Sequence, residues 1–237
     1  MTSLNNIKIF ADGASLPALL ELAGNSRIAG FTTNPTLMRK AGVSDYKAFA
    51  FEVLQHIKDK PISFEVFADE FSEMQRQARE IATWGSNVYV KIPVTNTRRE
   101  SAAALVKALA NDGVKLNVTA LCTLDQVREV ADALKGGAPS VISVFAGRIA
   151  DTGRDPVPLM REALQLCRQR DARIELLWAS PRELLNIVQA AEVGCDVITV
   201  TPDLLKKLDL IGKDLGEFSL DTVKMFHADA QAAGYKL

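Results

Sequence analysis

Residues 87–94 read Asn-Val-Tyr-Val-Lys-Ile-Pro-Val, which is the pattern of a buried β-strand that carries one lysine. Aliphatic residues alternate with Tyr89 and Lys91, so Lys91 lies on the face opposite the aliphatic side chains. A lysine in this position either extends past the strand end to reach water or works inside a cavity. The neighbouring strands decide between these two interpretations.

Short apolar runs alternate with amphipathic helical patterns, such as 71–83 and 100–110, along the whole chain. The runs, which we interpret as eight strands, are Ile7–Asp12, Gly30–Asn34, Ile62–Phe67, Val88–Val94, Leu116–Leu121, Val141–Gly147, Ile174–Ser180 and Val197–Thr201. This alternation predicts βαβ units and a parallel sheet. Eight units favour an α/β fold of the closed (β/α)8 TIM-barrel type, with an open doubly wound sheet as the alternative. We expect one barrel domain over residues 1–237, with an extra C-terminal helix at 220–233.

The composition indicates an ordinary globular protein, with 48% hydrophobic and 24% charged residues. A net charge of −1 gives no electrostatic case for binding nucleic acid or an anionic membrane. The polar N-terminus and the lack of a long apolar run predict a cytoplasmic protein. The three cysteines, Cys122, Cys167 and Cys195, are widely spaced and are interpreted as reduced, buried residues.

Polar side chains recur near the carboxyl ends of the predicted strands, on the face that would point to the barrel axis. They are Asp12, Thr32 with Asn34, Glu65, Lys91, Asn117 with Thr119, Ser143 with Phe145, and Trp178 with Ser180. Any one of them alone is explained as easily by a helix cap or a turn. Agreement over seven strands favours a site, because this rim is where TIM barrels place catalytic residues.

This set contains no histidine, since His56 and His227 fall in helices and are expected at the surface. Magnesium bound by Asp12 and Glu65 is an alternative with few ligands. A lysine with carboxylates favours a Schiff-base enzyme without a cofactor. Such an amine must be neutral to attack a carbonyl, and burial in a barrel mouth favours the neutral form.

Arg148, Ser180 and Arg182 follow the sixth and seventh strands. Two guanidinium groups, a hydroxyl and a helix N-terminus form a phosphate site, although each arginine could instead make a surface ion pair. The late loops of these barrels commonly bind phosphate. The sequence therefore predicts a phosphorylated ketose as the substrate. Separately, we expect the protein to form a homo-oligomer.

The motifs of the chain resemble those of the transaldolases, in the broad family that includes the fructose-6-phosphate aldolases. The resemblance covers nearly the whole chain, and its most specific motifs are Thr32-Thr33-Asn34-Pro35 and Val90-Lys91-Ile92-Pro93, followed by Leu116-Asn117-Val118-Thr119 and Phe145-Ala146-Gly147-Arg148. The resemblance implies a (β/α)8 barrel in which the strand-four lysine, here Lys91, forms an imine with a ketose. A dihydroxyacetone unit then passes to an aldose phosphate, or is released by water in the aldolases.

The resemblance also implies roles for the other residues. Glu65 and Thr119 would hold a catalytic water, and Asp12 would transfer a proton at the hydroxyl of the cleaved bond. Substrate contacts would come from Thr32, Asn34, Asn117, Ser143 and Phe145. The phosphate would bind Arg148, Ser180 and Arg182.

Two positions separate the subfamilies, and Glu65 with Phe145 is the transaldolase pair, whereas the aldolases carry glutamine and tyrosine there. The short chain is nevertheless typical of the aldolase-like branch, and Pro181 replaces an aromatic residue common between the phosphate serine and arginine. A ketose-phosphate aldolase and a non-catalytic sugar-phosphate-binding barrel are the alternatives.

Overall fold

The computed structural model describes residues 4–236, apart from the side chain of Asn5. Eight parallel strands pair in chain order and close into a barrel. They are β1 Lys8–Asp12, β2 Ile28–Thr32, β3 Ile62–Glu65, β4 Val88–Pro93, β5 Leu116–Leu121, β6 Ser140–Val144, β7 Ile174–Trp178 and β8 Val197–Val200. The predicted TIM barrel is thus confirmed, and the open-sheet alternative is wrong because β1 pairs with β8.

Helices α1–α9 lie between consecutive strands on the outside of the barrel, and α10 and α11 follow the last strand. They are α1 Leu16–Ala23, α2 Pro35–Lys40, α3 Tyr46–His56, α4 Phe71–Ala82, α5 Ala103–Asn111, α6 Leu124–Leu134, α7 Ala146–Ala150, α8 Pro156–Arg170, α9 Leu185–Val193, α10 Pro202–Leu205 and α11 Leu215–Ala233. Two 3₁₀ turns lie at Leu4–Asn6 and Leu208–Leu210. None of the helices within residues 4–236 is both long and apolar enough to cross a membrane.

Apolar side chains form two clusters, one on each face of the sheet. The larger cluster fills the layer between strands and helices. The smaller one lies inside the barrel and contains Phe10, Val141, Leu177, Ala179 and Val197. A Cβ on Gly30 would lie 2.6 Å from the Phe10 ring, so glycine at this position makes room for the ring in the interior.

Several predicted strand bounds are wrong. Strand β2 spans Ile28–Thr32 instead of Gly30–Asn34, and β3 and β7 each end two residues early, at Glu65 and Trp178. The sixth strand stops at Val144 instead of Gly147, because residues 146–150 form a short helix. Trp178 was expected inside the barrel, but it packs in the outer cluster while Leu177 and Ala179 occupy the interior. The parity of β7 is therefore the opposite of the predicted one, and Ser180 lies beyond the strand.

The C-terminal helix α11 begins at Leu215, five residues before the predicted start. Asp214 caps it by accepting a hydrogen bond from the Glu217 N–H. No residue of α11 is buried, although helices of the barrel wall typically bury one face. Its large apolar side chains are therefore left in contact with solvent in the single chain.

Candidate active site

Lys91 is buried at the mouth of the barrel, with only 6% of its surface exposed. Its Nζ lies 3.2 Å from Oε2 of Glu65 and donates to the Thr33 carbonyl at 3.0 Å. Glu65 and Lys91 are register partners across β3 and β4, and Lys91 pairs in turn with Asn117 on β5. Lys91 is therefore enclosed inside the barrel and does not extend to bulk water. Lys8 begins β1 and Lys115 directly precedes β5, so both lie at the opposite end of the barrel from the Lys91 amine.

Asp12 ends β1 and belongs to a hydroxyl network. Thr32 Oγ1 donates to Asp12 at 2.8 Å, and Thr199 on β8 hydrogen-bonds to the same Thr32 hydroxyl. Because the single Thr32 proton goes to Asp12, Thr199 is the donor in the second bond. Burial raises the pKa of Asp12 above its ordinary value, while the positive charge of Lys91 and the Thr32 hydrogen bond act in the opposite direction. A carboxyl of this kind accepts and returns a proton closer to neutral pH than an exposed one.

Asn117 connects three strands through its side-chain amide. Its Nδ2 donates to Ser63 on β3 at 3.0 Å, and its Oδ1 accepts from Ser143 on β6 at 2.6 Å. All three side chains are buried. The predicted pair Asn117 and Ser143 is thus brought together on the interior face of the barrel.

Thr119 is buried, and its Oγ1 has no hydrogen-bond partner within the described part of the chain. Ala120 beside it has φ 67°, and the β5–β6 register shifts between Val118 and Leu121. A bulge with a left-handed residue stores strain and re-aims its neighbours, which is common next to active sites. A buried hydroxyl without a protein partner is positioned to bind water or substrate.

Asn34 lies just after β2 as the N-cap of α2, where its Oδ1 accepts from the Leu37 N–H at 2.9 Å. The capping interpretation of this residue therefore holds. The cap uses the oxygen and leaves the amide N–H groups available to a ligand.

The residues predicted to bind phosphate lie in the segments that follow β6 and β7. Ser180 adopts φ 58°, a conformation that is uncommon for residues other than glycine. A Cβ on Gly147 would lie 1.5 Å from the Ser180 carbonyl oxygen and 3.3 Å from Arg182 Nε. Only glycine at position 147 allows these two loops to approach so closely.

Arg182 forms a surface ion pair, the alternative that the sequence left open, with a partner that the sequence did not identify. Its Nε and Nη2 both contact the carboxylate of Asp151, with Nε at 3.0 Å from Oδ1. The expected helix N-terminus is wrong, because α9 begins only at Leu185. The N–H of Arg182 instead donates to Oδ1 of Asn186 at 2.7 Å.

Arg148 lies on α7 and extends over the Phe145 ring, with its Cζ 5.9 Å from the ring centroid. Phe145 itself packs against the interior cluster. No carboxylate pairs with Arg148 among residues 4–236, so its charge remains available for an anionic ligand. Arg148 and Arg182, the two arginines predicted to bind phosphate, are both exposed.

His56 and His227 are exposed, as predicted. Within residues 4–236, no three His, Cys, Asp or Glu side chains form a group that could hold a metal ion. The sequence did not identify three residues that hydrogen-bond to the predicted site residues. They are Thr33, Ser63 and Thr199. The alternation of β8, with Val197 inside and Ile198 outside, carried a signal for Thr199, whereas the Thr33 carbonyl carried none.

Comparison with known proteins agrees with this geometry. A family model described as Transaldolase/Fructose-6-phosphate aldolase matches residues 9–237. The chain is similar to a "Probable transaldolase" of Brucella anthropi, with 35% identity over 221 residues that cover 92% of this chain and 97% of the relative. A relative of the same name from Dehalococcoides mccartyi is 33% identical over 202 residues, covering 85% of this chain and 90% of that protein.

Among solved structures, a HpcH/HpaI aldolase/citrate lyase family protein from Burkholderia cenocepacia superposes with a TM-score of 0.60, covering 92% of this chain and 95% of that one. At 16% identity, this similarity supports the fold alone. The sequence matches are closer and nearly complete in length, and the chain therefore belongs to the transaldolase/fructose-6-phosphate aldolase family.

Proposed function

We propose that the protein is a Schiff-base transaldolase that moves a dihydroxyacetone unit from a ketose phosphate to an aldose phosphate. The observation that carries this proposal is the buried Lys91 amine, held between the Glu65 carboxylate and the Thr33 carbonyl. A lysine enclosed in this way is suited to attack a ketone carbon.

In the proposed reaction, Lys91 Nζ attacks the ketone carbon, and loss of water gives the imine. Asp12 then accepts the proton of the hydroxyl on the fourth carbon, and the bond between the third and fourth carbons breaks. The electron pair passes into the imine, and an aldose phosphate leaves. The resulting enamine attacks the acceptor aldehyde, and Asp12 returns the proton to the new hydroxyl. Water then hydrolyses the product imine, which releases the new ketose phosphate and restores the Lys91 amine.

Glu65 and Thr119 would hold the water that exchanges protons during imine formation and hydrolysis. The buried Thr119 hydroxyl supports this role, because it lacks a protein partner within the described residues. Asn117 and Ser143 would bind hydroxyls of the three-carbon unit, and Thr32 and Asn34 would complete that subsite. Arg148, Ser180 and Arg182 would bind the phosphate.

Transfer rather than hydrolysis is supported by Phe145. Its ring packs against the apolar interior and is partly covered by Arg148, so no hydroxyl is available there to orient water. We expect the native protein to make a seven-carbon ketose phosphate from fructose 6-phosphate and a four-carbon aldose phosphate. Release of free dihydroxyacetone should be much slower.

The variant Phe145→Tyr tests this assignment, because it adds a hydroxyl at that position and should raise dihydroxyacetone release. Phe51→Tyr adds the same hydroxyl on the exposed face of α3 and should change nothing. Free release by the native protein without acceptor would favour the aldolase, the second candidate. Absence of both reactions would favour a sugar-phosphate-binding barrel.

The protein is also proposed to be a homo-oligomer assembled through α11. An isolated helix gains little stability without packing, yet Leu215, Phe218, Val223 and Phe226 are all exposed on this helix. Phe218→Ser/Phe226→Ser should lower the mass measured by light scattering, whereas Lys224→Ser on the opposite side of α11 should not. A monomeric native protein would contradict the proposal.

A further inference from the structure

The backbone hydrogen bonds between β2 and β3 are interrupted at the barrel mouth. Lower in the barrel the ladder is regular, since Phe31 N–H donates to the Pro61 carbonyl at 2.8 Å and Thr33 N–H to the Ser63 carbonyl at 3.1 Å. Continuing the parallel pattern by one step would pair the Glu65 N–H with the Thr33 carbonyl.

Both groups of that expected bond have other partners. The Thr33 carbonyl accepts from Lys91 Nζ at 3.0 Å. The Glu65 N–H donates to the Tyr46 hydroxyl oxygen at 2.8 Å, and the same hydroxyl donates to the Glu65 carbonyl at 2.7 Å. Tyr46 thus satisfies both backbone groups of Glu65, in the place of a neighbouring strand.

Tyr46 is held firmly enough to do this. It is the first residue of α3, whose N-cap Asp45 accepts from the Ala48 N–H at 2.9 Å. Its ring packs against Phe67 and Trp84, with centroids 5.5 and 6.0 Å away. Burial raises the pKa of the Tyr46 phenol, so the hydroxyl keeps the proton that it donates.

We propose that Tyr46 is a positioning residue for the lysine chemistry. By taking both backbone groups of Glu65, it leaves the Thr33 carbonyl free to bind Lys91 Nζ. It also fixes the end of β3 that holds the Glu65 carboxylate beside that amine. The inference rests on the proposed function and gives Tyr46 no contact with substrate.

The variant Tyr46→Phe tests this role, because it removes the hydroxyl and keeps the packed ring. The Glu65 N–H should then donate to the Thr33 carbonyl, and Lys91 Nζ should lose that carbonyl as an acceptor. We expect the turnover number for transfer to fall about 10- to 100-fold, the scale of a misplacement near 1 Å. KM for the ketose phosphate should change little, since the phosphate residues lie beyond β6 and β7.

A double-mutant cycle with Glu65→Gln separates positioning from a general loss of structure. If Tyr46 acts through Glu65, then Tyr46→Phe should lower turnover much less in the Glu65→Gln background than in the native one. If the double variant loses turnover by the product of the two single-variant factors, the two residues act independently and the inference is overturned. Native turnover by Glu65→Gln would overturn the role of Glu65 and this inference together, whereas native turnover by Tyr46→Phe alone would overturn only the inference.

Two further variants complete the test. Tyr89→Phe removes a hydroxyl near the opposite end of the barrel, where Lys115 Nζ lies 5.7 Å from the ring centroid, and should leave turnover unchanged. Replacement of Tyr46 by 4-aminophenylalanine keeps a group that can donate and accept, and should restore most of the turnover lost in Tyr46→Phe. A 4-aminophenylalanine protein as slow as Tyr46→Phe would overturn the proposed hydrogen-bonding role.

Discussion

Replacing Gly147 by alanine should damage the proposed phosphate site, because the added methyl group would overlap the neighbouring loop. The new Cβ would lie 1.5 Å from the Ser180 carbonyl oxygen and 2.6 Å from its carbonyl carbon. Ordinary contact begins near 3.4 Å, so the two loops must separate by about 1.9 Å. Ser180 is already in a left-handed conformation and has little freedom to accommodate that shift.

The size of the effect follows from this displacement. Overpacking costs about 1–3 kcal/mol, and a backbone overlap belongs at the upper end of that range. A loss of about 3 kcal/mol lowers the melting temperature of a protein of this size by about 6–12 °C. Because a shift of about 1 Å can reduce the rate on the order of 100-fold, kcat/KM for fructose 6-phosphate should fall by at least that factor.

The assay compares phosphorylated and phosphate-free substrates at a temperature where the variant is folded. Imine formation with dihydroxyacetone, trapped by borohydride, should remain near the native rate in Gly147→Ala. Gly24→Ala is the matched control, since its Cβ would lie 3.6 Å from the nearest atom and the backbone there is helical. Native kcat/KM and melting temperature for Gly147→Ala would refute the close approach of the two loops.

Two other predictions concern charge at the site. Arg182→Ala should weaken binding of phosphorylated sugars by about 1.5–3 kcal/mol. Adding Asp151→Asn should recover part of that loss, because it removes the carboxylate left without its arginine. An equal loss of dihydroxyacetone binding would show that Arg182 has a structural role instead. Asp12→Asn should abolish transfer yet raise the free energy of unfolding at neutral pH. The raised pKa of Asp12 means that the native protein loses stability as the pH rises from 3.8 through the folded-state value, and the variant avoids that loss. Urea unfolding at pH 3.5 and pH 7 checks this, and a gain that is larger at pH 3.5 would contradict it.

The strand pattern of the sequence was sufficient to predict the barrel and the interior position of Lys91. Period-two alternation is a strong signal when one face meets helices and the other meets a polar mouth, as on β4 and β5. The same reasoning failed on β7, where apolar side chains occupy both faces. Leu177 and Trp178 are equally buried, so hydrophobicity alone could not assign their directions.

Contacts that depend on the path of the loops could not be predicted. The pairing of Arg182 with Asp151 joins residues from two loops, and no local pattern reports it. The Tyr46 hydroxyl, on a different element, contacts the backbone of Glu65. Every residue type has these backbone groups, so the sequence gives no signal for the contact. The short helix α7 was hidden because residues 141–147 are apolar apart from Ser143, and such a short run fits a buried strand or helix equally well.

The most direct test of the account is to trap the imine chemically. The native protein, incubated with fructose 6-phosphate and reduced with borohydride, should carry a sugar adduct on the peptide that contains Lys91. Lys91→Met should fold, since methionine is close to lysine in volume, and should show neither adduct nor turnover. Sugar trapped on another lysine, such as Lys8 or Lys115, or turnover by Lys91→Met, would contradict the proposed mechanism.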